Sequence, residues 1–369
     1  LQITGIDYAT VKELGVTGRY LNADHIAPVL RKWARKFSVA ESGKSVLGEP
    51  IFRLTLGTGP ISILMWSQMH GNESTTTRAV TDLIAFLGTE NSLARDLLKA
   101  CTITILPMLN PDGARAYTRI NAAGIDLNRD ARDLSQPESV VLRKEFERVA
   151  PDFCFNLHDQ RTIFNVGASA SPATVSFLAP AFDEKRSVAG CRELSMKLIA
   201  GINHRLQQLI PGQVGRYDDT FNPNCVGDSF QSLNTPTVLF EAGHYPGDYE
   251  RERTREYIFH ALLQALQLIA TGDLSESSTD HYFAIPENNK RYLDILVRNP
   301  ALLNGQWEEG ISLGIQFKEV LQGDTVRFQP RLEEAGLLQD KFGHLVLDCS
   351  RESDLKEIRR NSELLLLLN

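Results

Sequence analysis

The sequence lacks any grouping of cysteines. Its five, at positions 101, 154, 191, 225 and 349, are odd in number and form no CxxC. That excludes a disulfide framework or a cysteine-rich zinc module and favours a reducing, cytoplasmic compartment. No run approaches the roughly 18 apolar residues that would span a bilayer, and LQITGIDYATVKELG has no basic start followed by an apolar core, so no membrane partner is expected. Because the sequence starts at Leu1, a leader removed upstream stays open. A basic excess is also missing. Lys and Arg number 39 against 46 Asp and Glu, a formal charge of −7, and no segment offers the cationic surface that a nucleic-acid backbone requires.

What is present is the composition of an ordinary globular protein: 369 residues, 42% hydrophobic and 23% charged, enough for a large core. The charge is uneven. Residues 1–271 carry 28 basic and 29 acidic side chains, whereas residues 272–369 carry 11 and 17. ADHIAPVLRKWARKF (23–37) has helical spacing, with Asp24 as the expected N-cap. Short apolar runs at 51–56, 61–68, 102–109, 153–157 and 235–243 read as strands, and 75–87, 138–150, 191–210 and 251–270 read as helices. Alternation of this kind predicts an α/β domain over 1–271, with a mixed, largely parallel sheet flanked by helices. The Gly-, Pro-, Ser- and Asn-rich stretches 163–190 and 211–234 read as loops near the site. Past the polar spacer 271–280, alternating runs predict a small β-rich appendage over 281–350. A terminal helix or tail (351–369) follows, whose leucines need cover from the fold or a partner.

Open α/β sheets place their sites beyond the carboxyl ends of the strands. There the sequence sets His70 and Glu73 after one strand, His158 at the end of another and Glu241 at the end of a third. His70 and Glu73 alone are a weak signal, since most such pairs are surface coincidences or cap residues. With His158 they make the two-His, one-Glu composition of a catalytic zinc site with an open position. A carboxylate after the apolar run Val238-Leu239-Phe240 is costly unless it faces a polar cleft, holds a raised pKa as a general base does, or sits in a buried ion pair.

Between these residues lie Asn110-Pro111-Asp112-Gly113 and Arg119-Ile120-Asn121-Ala122-Ala123-Gly124-Ile125-Asp126-Leu127-Asn128-Arg129. In this order the set resembles the M14 family of zinc metallocarboxypeptidases over about residues 20–270, and residues 45–57 are similar to the family's strand-forming segment before the first zinc motif. The resemblance implies the zinc carboxypeptidase, phosphorylase/hydrolase-like fold. It also implies one Zn²⁺ per chain on His70, Glu73 and His158, with Asp126 accepting a hydrogen bond from His70. Glu241 is then the general base toward a zinc-activated water, Arg119 the oxyanion donor, and Asn128 and Arg129 the binders of the substrate's free carboxylate. A guanidinium fork matches a carboxylate in a way that lysine does not.

Where the family commonly places a substrate-capping tyrosine, only Tyr217 is available. Asp159 and Arg161, beside the third ligand, either pair with each other or leave Arg161 for an acidic substrate. Cys225, Asp228 and Ser229 are candidate lining of the specificity pocket, with Cys225 more readily a buried thiol than a nucleophile. The expected activity is hydrolysis of C-terminal amide bonds in peptides. Two alternatives stay open: an amidohydrolase of N-acyl amino acids of the aspartoacylase and succinylglutamate desuccinylase type, which often carries a C-terminal β domain, and a non-catalytic peptide- or cell-wall-binding module. The expected partner is a peptide or N-acyl amino acid with a free carboxylate, and the oligomeric state is left open.

Overall fold

Side chains of a strand alternate between its two faces, so a strand covered on both sides reads as an unbroken apolar run. The segment 61–67 behaves in this way. Ile63 and Met65 enter one core, Leu64 and Trp66 the other, and all four are fully buried. The computed structural model describes residues 6–368; residues 1–5, at the start of the expected 1–271 unit, and residue 369, at the end of the expected tail, lie outside the described residues.

In chain order the strands are β1 (Ser38–Lys44), β2 (Pro50–Leu56), β3 (Ile61–Ser67), β4 (Cys101–Leu106), β5 (Phe153–Asp159), β6 (Asn165–Val166), β7 (Val175–Leu178), β8 (Val214–Arg216), β9 (Thr237–Ala242), β10 (Asn288–Asn289), β11 (Tyr292–Arg298), β12 (Ser312–Gln322), β13 (Thr325–Gly336) and β14 (Phe342–Asp348). The helices are α1 (Ala23–Trp33), α2 (Thr75–Leu87), α3 (Ser92–Ala100), α4 (Pro111–Ala116), α5 (Pro137–Val149), α6 (Gly190–Leu206), α7 (Val226–Ser232), α8 (Glu252–Thr271), α9 (Thr279–Phe283), α10 (Glu352–Arg360) and α11 (Ser362–Leu368).

Eight strands form one mixed sheet in the order β1-β2-β4-β3-β5-β9-β7-β8. Its centre, β4-β3-β5-β9, is parallel, and β1, β2 and β7 bring the antiparallel pairings. Helices α1, α2, α3, α6 and α8 cover one face, while α5 and α7 cover the other. The expected α/β fold is thus observed.

Three local expectations are corrected. The cap of α1 is Asn22, whose side chain accepts from Asp24 N and His25 N, while His25 reaches back to the Asn22 N–H in a reciprocal capping box. The helix also ends at Trp33, short of residue 37. The stretches read as loops contain β6, β7, β8 and α7, because strands of two to four residues are too short to display a period.

A second sheet, β13-β12-β11-β14, bears out the β-rich C-terminal segment. Of the leucine run, Leu364 and Leu368 are buried against this sheet, and Trp307 Nε1 donates to the Leu368 carbonyl at 2.9 Å. Leu366 remains 81% exposed. The segment is stitched to the main body by β10 pairing with β6, and by Glu319, whose two oxygens accept from Arg19 Nη2 at 2.8 and 2.9 Å. No helix among the described residues is long and apolar enough to cross a membrane.

Two histidines sit in that junction. His244 and His344 face each other with ring centroids 4.2 Å apart, and His344 Nε2 lies 2.8 Å from the Thr162 carbonyl. Burial, reinforced by His344, Arg251 and Arg19, pushes His244 down to about 2; burial, with Arg251 nearby, holds His344 at about 4, both from an ordinary 6.5. Between about pH 6.5 and 4 the unfolded chain therefore binds protons that the folded one refuses. Stability is expected to be full above pH 6.5 and to fall as pH drops toward 4, with a shallower fall in His344→Gln. Denaturant midpoints measured across that range check this; a flat profile contradicts it.

Candidate active site

The site is assembled where β3, β5 and β9 end. Leaving β3, the chain turns through Gln68 at φ +50°, whose amide nitrogen donates to the carbonyls of Leu21 (2.7 Å) and Gly71 (2.8 Å). The following loop, Met69–Glu73, meets the start of α4 backbone to backbone. A Cβ on Gly71 would lie 1.9 Å from the Gly113 carbonyl carbon, so only glycine fits. Asn110 fixes the approach: its Oδ1 caps α4 by accepting from Gly113 N, and its Nδ2 donates to the Met69 carbonyl. Asp112 accepts from Ser45 Oγ and Leu47 N, tying α4 to the β1–β2 turn. The Asn-Pro-Asp-Gly motif is thus the support on which the His70 loop rests.

After α4, Tyr117 in the left-handed region turns the chain into the loop that bears Arg119, Asp126, Asn128 and Arg129. Asn121 braces it, with Oδ1 accepting from Ala123 N and Ile125 N and Nδ2 donating to Gln136 and the buried Glu138. Asp126 caps the single 3₁₀ turn Leu127–Arg129. His158 and Glu241 arrive on adjacent parallel strands at the same level, being register partners in β5 and β9.

His70, Glu73 and His158 converge. Glu73 Oε1 lies 2.8 Å from His70 Nδ1, Glu73 Oε2 lies 2.9 Å from His158 Nδ1, and the two Nδ1 atoms are 3.1 Å apart. His70 Nε2 faces Asp126 Oδ1 at 3.0 Å. If Nε2 of a neutral His70 donates there, its Nδ1 lone pair points at a carboxylate, an arrangement that calls for a positive charge between them. Around a tetrahedral ion with bonds of about 2.1 Å, neighbouring donors stand ~3.4 Å apart, so this buried set fits a divalent metal ion.

The electrostatics are consistent with that. Burial would raise Glu73, but the two histidines hold its carboxyl well below the usual range. Burial would lower His70, yet Glu73 and Asp126 raise it. Glu241 goes the other way: burial, then the negative charges of Glu73 and Asp159, push it well up, and its enclosed Oε2 has no hydrogen-bond partner among the described residues.

The remaining expected residues share one cleft of about 820 Å³ with this cluster. Arg119, about half exposed, donates from Nε to Asp126 Oδ2 (3.0 Å) and from Nη1 to Glu73 Oε1 (3.3 Å). Asn128 Oδ1 accepts from Val226 N, and Arg129 Nη1 donates to the Asn128 carbonyl and to Cys225 Sγ at 3.0 Å. Tyr217 extends β8, stacks edge-on against Phe164, and is raised by burial and by Glu241 and Glu73.

Other readings change. Asp159 does not pair with Arg161; it accepts from Thr75 N (2.9 Å) and Thr76 N (3.2 Å) and faces Arg19 at 3.5 Å, because the first turn of α2 has free N–H groups to satisfy. Asp228 accepts from Ala181 N and Asn222 N, and Ser229 from Arg143, so both brace the loop, and of the three only Cys225 reaches the cleft. Burial pushes the Cys225 thiol up to about 11, which is no nucleophile's environment.

Two arginines of the site carry no signal that sequence reasoning used. Buried Arg251 donates from Nη1 to the Ala242 carbonyl and from Nη2 to the Gln160 carbonyl, clasping the ends of β9 and β5. Arg19 joins Asp159 to Glu319.

Residues 26–154, about a third of the chain, match the model of the zinc carboxypeptidase family, Peptidase_M14. The resemblance to the M14 family is thereby borne out. The family match indicates a peptide hydrolase. Solved structures share this fold. A metallo-carboxypeptidase from Burkholderia cenocepacia is 20% identical over 69% of this chain and 70% of its own, at a TM-score of 0.56. One from Pseudomonas aeruginosa, solved with (2-guanidinoethylmercapto)succinic acid, is 17% identical over 68% and 69%, at 0.54. Bovine thrombin-activatable fibrinolysis inhibitor, solved with tick carboxypeptidase inhibitor, is 13% identical over 69% and 98%, at 0.55. No curated protein matches the sequence.

Elemental analysis of purified protein is expected to give about one equivalent of a divalent transition metal per chain, lost in a His70→Ala, His158→Ala double variant. A wild-type content under about a tenth of an equivalent rejects the site.

Proposed function

We propose that the chain is a zinc-dependent carboxypeptidase that hydrolyses the C-terminal amide bond of peptides. The observation that carries this reading is the juxtaposition, in one cleft, of the His70–Glu73–His158 cluster with an enclosed, unpartnered Glu241 oxygen. His70, Glu73 and His158 hold the metal, and Asp126 fixes the His70 ring through Nε2. Zinc bound there supplies Lewis acidity and a water of lowered pKa.

Glu241 takes a proton from the attacking water and returns it to the leaving amine; its buried Oε2 has no hydrogen-bond partner among the described residues that would compete for that proton. Arg119, kept at the mouth by Asp126 and Glu73, is placed to donate to the developing oxyanion. Asn128 and Arg129, held against Cys225 and Val226, bind the free carboxylate and so confine cleavage to the last residue. Tyr217 closes over the bound residue from the side of Phe164.

One observation favours the N-acyl amino acid amidohydrolase as a second reading: residues of β12 and β13 line the cleft, so a C-terminal β segment of the kind that type often carries takes part in the site. A panel of free peptides, amidated peptides and N-acyl amino acids, read by mass spectrometry, separates the two.

Glu241→Gln is expected to reduce peptide hydrolysis by about a hundred- to ten-thousand-fold while metal content stays unchanged. Retained activity removes Glu241 from the base role. Amidating the substrate's C-terminus is expected to lower kcat/KM about ten- to a hundredfold, the worth of a charge-assisted hydrogen bond. Cleavage of amidated peptides at full rate contradicts the Asn128–Arg129 clamp.

A further inference from the structure

The cleft has a second charged region that the proposed chemistry leaves unused. On the β12–β13 ribbon, Gln316 pairs with Arg331 and Lys318 with Gln329, so Lys318 and Arg331 are diagonal neighbours on one face, about 7–8 Å apart. Gln316 on that face receives a hydrogen bond from Thr162 Oγ1 at 3.4 Å, which brings in the adjacent Arg161 from the end of β5. All three cations are exposed and line the cleft. None has a carboxylate within ion-pair distance among the described residues, whereas the neighbouring Arg19 is matched by Glu319 and Asp159. Glu333 and Asp294 are the carboxylates that the C-terminal sheet brings to this cleft without a basic group in ion-pair distance among the described residues.

The segment that contributes Lys318 and Arg331 also brings Asp294, Glu319 and Glu333 to the cleft; Glu319 is matched by Arg19, and Asp294 accepts from the Tyr249 hydroxyl and Phe317 N. The rim also stands apart from the carboxylate clamp. Asn128 and Arg129 bond to Cys225 and Val226, while β12 bonds to Arg19, Tyr117 and Thr162, and the two groups share no hydrogen bond among the described residues. The metal-ligating cluster lines the same cleft.

We propose that Arg161, Lys318 and Arg331 form a cationic rim that binds acidic side chains of the substrate on the amino-terminal side of the scissile bond, making the C-terminal sheet the wall that selects acidic peptides. The inference rests on the carboxypeptidase reading, since it places the rim relative to a bond cleaved there. Free fork-shaped and ammonium donors at the edge of a cleft engage carboxylates through screened, additive contacts, each modest.

The test compares two peptides with the same C-terminal residue, one with glutamates and one with glutamines at the preceding positions. Full-length, metal-loaded protein is expected to prefer the glutamate peptide in kcat/KM by about tenfold at low salt, and less at high salt. The ratio is expected to fall toward one in the Arg161→Ala, Lys318→Ala, Arg331→Ala triple variant. Because loss of preference can also follow from damage, Lys318→Glu with Arg331→Glu supplies a gain: a preference for lysine over glutamine at those positions. Equal rates on both peptides with the wild type, or a preference unmoved by charge reversal, overturns the rim while leaving the carboxypeptidase reading intact. Cleavage of neither peptide overturns the carboxypeptidase reading and, with it, the placement of the rim. Anisotropy titration of the same peptides on Glu241→Gln then reports whether a rim-dependent preference for acid persists in binding alone.

Discussion

The site depends on three neighbouring strands running the same way and stopping at the same level. In β3, β5 and β9 the register sets Ser67 beside Leu157 and His158 beside Glu241, so the chain leaves the sheet three times within one small area. Parallel neighbours share a carboxyl edge, and the polar residues that follow each strand have nowhere else to go. Two further contacts make that edge rigid enough for chemistry. The glycine-to-glycine approach at Gly71 and Gly113 holds the first loop from below, and Arg251 bonds the carbonyls at the ends of β5 and β9 from the far side.

Much of this was legible in the sequence, for a physical reason. Long helices and doubly covered strands write their periods into composition, and a metal-binding set must place a few unusual side chains right after such strands. The residues of the cleft proposed from sequence all line it except Asp126, Asp228 and Ser229; Asp126 is one hydrogen bond removed, through His70. What stayed hidden was buried charge. Arg251 and Arg255 stand in the run Arg251-Glu252-Arg253-Thr254-Arg255, which looks like the solvated first turn of a helix. Yet Arg255 is fully enclosed with Asp82, its Nη2 and Nε at 2.6 and 2.7 Å from the two carboxylate oxygens. A sequence records the charge and not its partner, and here the partner lies 173 positions away. Asp159 was misread on the same ground, since its counterpart is the start of α2 and not a nearby side chain.

Net charge proved a poor guide to the cleft. The −7 of the chain comes largely from its last hundred residues, yet of the 17 acids there only Asp294, Glu319 and Glu333 line the cleft, and Lys318 and Arg331 line it with them. Inside, every carboxylate near the histidines is answered by a donor: Glu73 by His70, His158 and Arg119, Asp126 by His70 and Arg119, Asp159 by the α2 backbone and Arg19. Among these carboxylates Glu241 alone keeps a buried oxygen without a partner among the described residues, and it is the group to which we assign the proton-handling role.

The ion pair of Arg19 with Glu319 changes what the break near residue 280 means. Along the chain it looks like a seam, with a polar spacer and a new pattern of strands. In space the later part supplies the counter-charge to a guanidinium that is 4% exposed and leans on Asp159, the residue next to His158. Tyr117, two residues before Arg119, donates its hydroxyl to the same Glu319. The two parts are therefore separable as text but not as electrostatics: the edge of the main sheet is neutralised from outside that sheet, and removing or exchanging the C-terminal part leaves Arg19 and Tyr117 without the carboxylate they share.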